Sequence, residues 1–257
     1  NIAVVPVTFT IRPADLVPVE LQAPAVVTGS PNPSATIAWR VHNQGLGPAE
    51  IGWTAWVDAL FLSQDDILDA SDTSLLAASE SDPLPAGQSY WRTNTTRIPV
   101  VATTNVFLVL KTDYNDVLFE SEEGNNTISV PVHFDILSPD LAPLALEAPR
   151  NYTGPPNPTL TFAWGVTNQG AGAAEAWQTG SWVDRIYLST NSVFDDSARS
   201  IGSVSESAPL PAGGSYWRTN QFRVPILQSG ACYLFFITDA DHTVFESAFA
   251  NNTLAVP

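Results

Sequence analysis

The sequence predicts an all-β chain made of two tandem sandwiches of about seven short strands each. Three observations carry this reading. The stretch SESDPLPAGQSYWRTN at 79–94 returns as SESAPLPAGGSYWRTN at 205–220, and only Asp82/Ala208 and Gln88/Gly214 differ. A match that long marks a duplicated unit. Apolar residues alternate with period two, and no window holds a 3.6-residue apolar period. Asn-Gln-Gly, Pro-Ala-Gly and Asn-Asp clusters punctuate the alternating runs as turns.

The bulk numbers agree with a globular chain. A length of 257 residues gives two ordinary domains a core each. With 44% hydrophobic and 14% charged residues the chain is not of the disordered class. Net charge is −16 and Lys111 is the single lysine, which excludes nucleic acid as a partner. An acidic surface suits solubility, cation binding or a salty extracellular setting. The one cysteine, Cys232, cannot form a disulfide within the chain, which fits a bacterial exported protein as well as a cytosolic one. No apolar run is long enough to span a membrane.

Taken in chain order, each element has a pattern of its own. NIAVVPVTFTIRPADL at 1–16 aligns with NTISVPVHFDILSPDL at 126–141. Residues 1–14 therefore read as the terminal strand of a preceding repeat, in an array of at least three copies. Two full copies follow, at 15–138 and 139–257. In the first, Ile37, Trp39 and Val41 alternate with Ala38, Arg40 and His42; in the second, Phe162, Trp164 and Val166 do the same. That is a half-buried strand with its aromatic on the core face. Trp182, Ile186 and Leu188 mark another, aligned with the run from Trp56. After the turn Leu84–Gly87, Ser89–Asn94 opens a strand with Tyr90 and Arg92 on one face and Trp91 and Thr93 on the other. VFLVLK at 106–111 and YLFFIT at 233–238 are apolar on both faces, as central strands are. TDYNDVLFESEEGNNTISVP and TDADHTVFESAFANNTLAVP close the two copies. Strands of this number and spacing, with a Trp near the front, describe an immunoglobulin-like (fibronectin type III-like) sandwich. The short, proline-containing connection between the copies favours a semi-rigid array stacked on nearest neighbours.

The order of these pieces resembles CARDB, the cell-adhesion-related domain found in bacteria. They run Asp15-Leu16, Asn43-Gln44-Gly45, Trp56–Asp58, the Pro-Leu-Pro-Ala-Gly turn, Thr112-Asp113, Glu120-Ser121 and Asn125-Asn126, and they recur in the second copy. The resemblance implies tandem immunoglobulin-like modules of large exported bacterial proteins with an adhesive or spacer role. It implies no known ligand. The partners expected are neighbouring repeats of the same array and a cell-surface protein or glycan, with the chain a monomer at the bacterial cell surface or outside the cell.

No catalytic residue is expected. His42 aligns with Thr167, His242 with Asp116 and Cys232 with Val106, while His133 lies in the exit strand. No nucleophile and base stand at workable spacing. No cofactor is required, and Ca²⁺ is the one candidate. A D-x-N…E hairpin can supply oxygen ligands to a hard cation from Asp113, Asn115, Asp116, Glu120, Glu122 and Asn125, and from Asp239, Asp241 and Glu246 in the second copy. The competing reading is turn chemistry, in which Asp and Asn bond their own backbone. The acidic run at 63–73 reads as a solvated loop. Asp58 and Asp184 share strand parity with Trp56 and Trp182, so each needs a partner, with Arg92/Arg218 or Arg97/Arg223 expected. Trp53, Trp91, Trp177 and Trp217 give the alternative function, stacking on sugar rings as in a carbohydrate-binding module. An accessory domain of a secreted hydrolase is a third reading.

Overall fold

The protein is described by a computed structural model, which covers residues 4–52, 54–176 and 178–256. The chain divides into two compact units, Asn1–Thr28 with Asn32–Asp135, and Gly29–Pro31 with Ile136–Pro257. All the regular structure among the described residues is β.

The first unit holds β1 (Leu16–Gln22), β2 (Val26–Gly29), β3 (Ser34–Asn43), β4 (Trp56–Ser63), β5 (Thr73–Glu80), β6 (Ser89–Arg97), β7 (Thr104–Lys111) and β8 (Thr127–Ile136). One sheet has the order β1-β3-β6 and the other β2-β8-β7-β4-β5. The second holds β9 (Leu141–Glu147), β10 (Thr159–Asn168), β11 (Trp182–Ser189), β12 (Arg199–Glu206), β13 (Ser215–Arg223), β14 (Tyr233–Ile237) and β15 (Thr253–Val256). Its sheets run β9-β10-β13 and β12-β11-β14-β15. Seven strands match between the units. The short β2 is an addition in the first, alongside the ten-residue β8; β15 is four residues long.

Alternation decides which faces meet. On β3, Ile37, Trp39 and Val41 are buried, and the residues between them face outward. Trp39 and Trp56 fill the first core. Phe162, Trp164, Trp182 and Phe236 fill the second. A buried aromatic of this size contributes roughly 3–5 kcal/mol, judged by the cost of truncating it to alanine. The twice-apolar strands β7 and β14 lie inside their sheets, between β8 and β4 and between β15 and β11.

One glycine position is set by close approach. A Cβ at Gly45 would come within 2.5 Å of the Ala14 backbone, and one at Gly170 within 2.4 Å of the Ser138 carbonyl. The third residue of Asn-Gln-Gly lets the entering chain lie against the turn.

Residues 4–13 join no ladder among the described residues, so the strand expected for 1–14 is not paired there. The segment is held only at its end: Pro13 accepts from the backbone of Leu46 and Gly47, and Ala14 makes a parallel bridge to Glu120.

Candidate functional site

The repeated motif residues converge where β1 and β9 begin. Asn43, wholly buried, accepts at Oδ1 from the backbone N–H of Asp15 and Gly45 and donates from Nδ2 to the carbonyls of Gly47 and Leu84, at 2.9–3.1 Å. Asn168 repeats all four bonds, accepting from the N–H of Asp140 and Gly170 and donating to the carbonyls of Gly172 and Leu210. Glu120 Oε1 accepts from Leu16 N–H at 2.7 Å, and its Oε2 accepts from Asn126 Nδ2 at 2.6 Å. Glu246 holds Leu141 and Asn252 in the same way, at 2.7 and 2.9 Å. Asp15 takes Asn125 Nδ2 and Ser121 Oγ; Asp140 takes Asn251. One end of each sandwich is thus sewn shut by its own polar side chains.

Burial governs the electrostatics here. It pushes the Glu120 carboxyl up to about 7, against the lowering pull of its two hydrogen bonds, and Glu246 up to about 8. Asp113 is raised as well, by burial first and then by repulsion from Asp116.

The structure separates the residues expected to bind a cation. Asp113 caps the tight turn after β7, accepting from Val117 and Leu118 N–H, and takes positive φ together with Asp116. Asp239 does the same with Thr243 and Val244. Asn115 points to the start of β4, accepting from Val57 N–H and donating to Ala55 O. Glu122 closes an exposed bend through Gly124 N–H, and Asp241 pairs with Arg185 at 3.0 Å. Glu120 and Asn125 belong to the sewn end. Among the described residues no group of three or more His, Cys, Asp or Glu side chains is gathered as a cage. The amide oxygens of Asn125, Asn126, Asn251 and Asn252 are buried and have no hydrogen-bond partner.

A second polar cluster lies inside each sandwich. Asp58 Oδ2 accepts from Trp39 Nε1 at 2.7 Å and Tyr90 OH at 2.8 Å, and Oδ1 from Thr112 Oγ1 at 2.7 Å. Asp184 repeats it with Trp164, Tyr216 and Thr238 at 2.7–2.9 Å. The expected arginine partners are corrected here: neutral donors satisfy both carboxylates, and burial lifts each to about 6. Arg92 and Arg218 pair instead with Glu80 and Glu206, across from one sheet to the other. With the carboxylate sealed from solvent, the cluster has no access for a substrate.

Of the four tryptophans expected to stack on sugars, Trp53 and Trp177 lie outside the described residues. Trp91 and Trp217 are 45% and 51% exposed, at the same place on β6 and β13. The Arg40 guanidinium lies 5.7 Å from the Trp91 ring centroid. Gly165 stands where the first unit has Arg40, and Trp217 lies over it: a Cβ there would meet the indole at 2.8 Å.

The model of the CARDB family matches residues 138–256. The second unit is a CARDB domain. CARDB is a non-catalytic family, which agrees with a site made of structural hydrogen bonds. Among solved structures, the CARDB domain of a Pyrococcus furiosus protein, crystallised in complex with di-metal ions, is 16% identical. The match covers 50% of this chain and 94% of that one, at a TM-score of 0.37. The solution NMR structure of that Pyrococcus furiosus CARDB domain is 15% identical over 49% and 99% of the two chains, also at 0.37. A sporulation control protein from Bacillus subtilis is 8% identical over 96% and 90%, at 0.33. No curated protein matches the sequence. The first unit repeats the polar network of the CARDB domain bond for bond at Asn43, Asp58, Glu120 and Asn125.

Proposed function

We propose that the chain is a non-catalytic tandem immunoglobulin-like segment of a large exported bacterial protein, acting as a spacer or adhesion module at the cell surface. The observation that carries this reading is the duplicated polar network, whose buried acids are held by the chain's own donors. Its buried acids at Asp58, Asp184, Glu120 and Glu246 are spent on backbone and indole donors, and each repeats at its counterpart position. A repeated scaffold suits an array that extends a distant head.

Calcium rigidification is the finer form of the proposal. The partnerless oxygens of Asn125 and Asn126, whose amide nitrogens hold Asp15 and Glu120, are the donors that support it. The alternative, glycan binding, is supported by the exposed, position-matched Trp91 and Trp217. One set of thermal melts tests all three. Excess EDTA against millimolar CaCl₂, with MgCl₂ as control, gives a calcium-specific rise if the folded state holds the ion. Coincident curves remove calcium and leave the plain scaffold. A saturable, glycan-induced rise that is lost in Trp91→Ala or Trp217→Ala would replace the scaffold reading with sugar binding.

A further inference from the structure

The outer face of the three-stranded sheet differs between the units along a single line of side chains. In the first unit Glu20, Arg40 and Trp91 are in register across β1, β3 and β6. Arg40 Nε lies 3.4 Å from Glu20 Oε2, and the guanidinium lies 5.7 Å from the Trp91 ring centroid. The same line in the second unit reads Ala145, Gly165 and Trp217 across β9, β10 and β13. The charged pair is gone and only the tryptophan is kept.

Without that pair the indole sits differently. A Cβ on Gly165 would lie 2.8 Å from Cε2 of Trp217 and 3.0 Å from both Cδ2 and Cζ2. Near-equal distances to three ring atoms mean that the ring lies flat on the glycine. One indole face is spent on the sheet, and the other looks outward from a residue that is 51% exposed. Ala145 and Leu144 continue the apolar strip, with Leu144 exposed at the bulge where the register of β9 shifts. Neighbouring strands are about 5 Å apart, so the strip is about 10 Å wide. Ser215, Thr219 and Gln221 share the Trp217 side of β13, and all three are exposed and neutral. Arg218 turns to the other side, onto Glu206 and the Tyr216 ring. The charge on the outer side near the strip is Glu147, two residues beyond Ala145, and it is negative.

A flat aromatic face bounded by neutral hydroxyl and amide groups complements a sugar ring, whose C–H face is apolar and whose rim carries hydroxyls. A net charge of −16 turns away anionic polysaccharides. We propose that the outer face of β9-β10-β13 binds a neutral oligosaccharide stacked on Trp217. The first unit lacks the site, because Glu20 and Arg40 stand in its place. This rests on the glycan-binding reading above and confines it to one unit.

The test uses the full chain, titrated in a calorimeter with cellohexaose, chitohexaose and mannohexaose, with polygalacturonate as the anionic control. At least one of the neutral sugars should bind saturably and shift the tryptophan emission to the blue. Trp217→Ala, at an exposed site, should weaken that binding about tenfold, the size of a lost stacking contact. Ala145→Glu combined with Gly165→Arg copies the first unit and should weaken it alike. Trp91→Ala should leave it unchanged. Binding that falls with Trp91→Ala, or that survives either change in the second unit, overturns the assignment and leaves glycan binding elsewhere on the chain standing. Binding of polygalacturonate alone overturns the neutral class. No response to any of the sugars overturns both the site and the glycan reading, and the scaffold reading then stands on the melts.

Discussion

The indole N–H of Trp39 donates to Asp58 across 2.7 Å, tying the central strand of one sheet to an interior strand of the other. The bond is one of three that converge on the carboxylate.

Asp58→Ala strands the donors of Trp39, Tyr90 and Thr112 in the core. Each orphaned group costs about 1–3 kcal/mol, so we expect a loss of at least ~3 kcal/mol of stability, read from the denaturant midpoint. Asp184→Ala should behave alike in the CARDB domain. An unchanged midpoint would show that the cluster is not structural.

Acid should stabilise the protein. Asp58 and Asp184 are raised to about 6, Glu120 to about 7 and Glu246 to about 8, all by burial first. Each carboxyl binds its proton more tightly folded than unfolded. The stability they lend is complete below their ordinary values near 4 and is lost as pH climbs through 6 to 8. We expect a melting temperature several degrees higher at pH 4.5 than at pH 8, with the slope between pH 4 and 6 reduced in Asp58→Asn. A melting temperature that climbs with pH instead would contradict the burial argument.

Glu80 and Arg92 should respond unequally to truncation. The Glu80 side chain is 4% exposed and that of Arg92 43%. Arg92→Ala leaves a buried charge without its partner, while Glu80→Ala leaves an arginine that water can reach. The first should therefore cost more, and a double-mutant cycle should give a coupling of about 1 kcal/mol, as for a partly exposed bidentate pair.

Gly165→Ala should move Trp217. The new methyl would meet the indole 2.8 Å away, on a half-exposed ring with room to swing outward. The expected result is a red-shifted, more quenchable tryptophan emission at almost unchanged stability. Identical spectra would mean that the ring does not rest on the glycine.

Much of this was legible in the sequence. Period-two alternation located Trp39 and Trp164, and the repeated Asn-Gln-Gly, Thr-Asp, Glu-Ser and Asn-Asn pieces marked the duplication, but nothing in them showed that they meet at one end of the sandwich. The partners were harder. Parity showed that Asp58 needs a donor, but Trp39, Tyr90 and Thr112 lie 19, 32 and 54 residues away and meet only when the sheets close. Charge alone favoured arginine, which the fold places at the sandwich edge. The hairpin acids looked like one constellation because they are close in sequence; the turn after β7 sends Asn115 and Glu120 to different neighbours.

The bond from Leu16 to Glu120 spans 104 residues. A ribosome must therefore release nearly all of a unit before its first strand can be fastened, and contacts this distant slow the search for the native state. During that interval the emerging strands expose apolar faces and open edges. Synthesis of two such units in succession is then a race between each unit closing on itself and pairing with its neighbour.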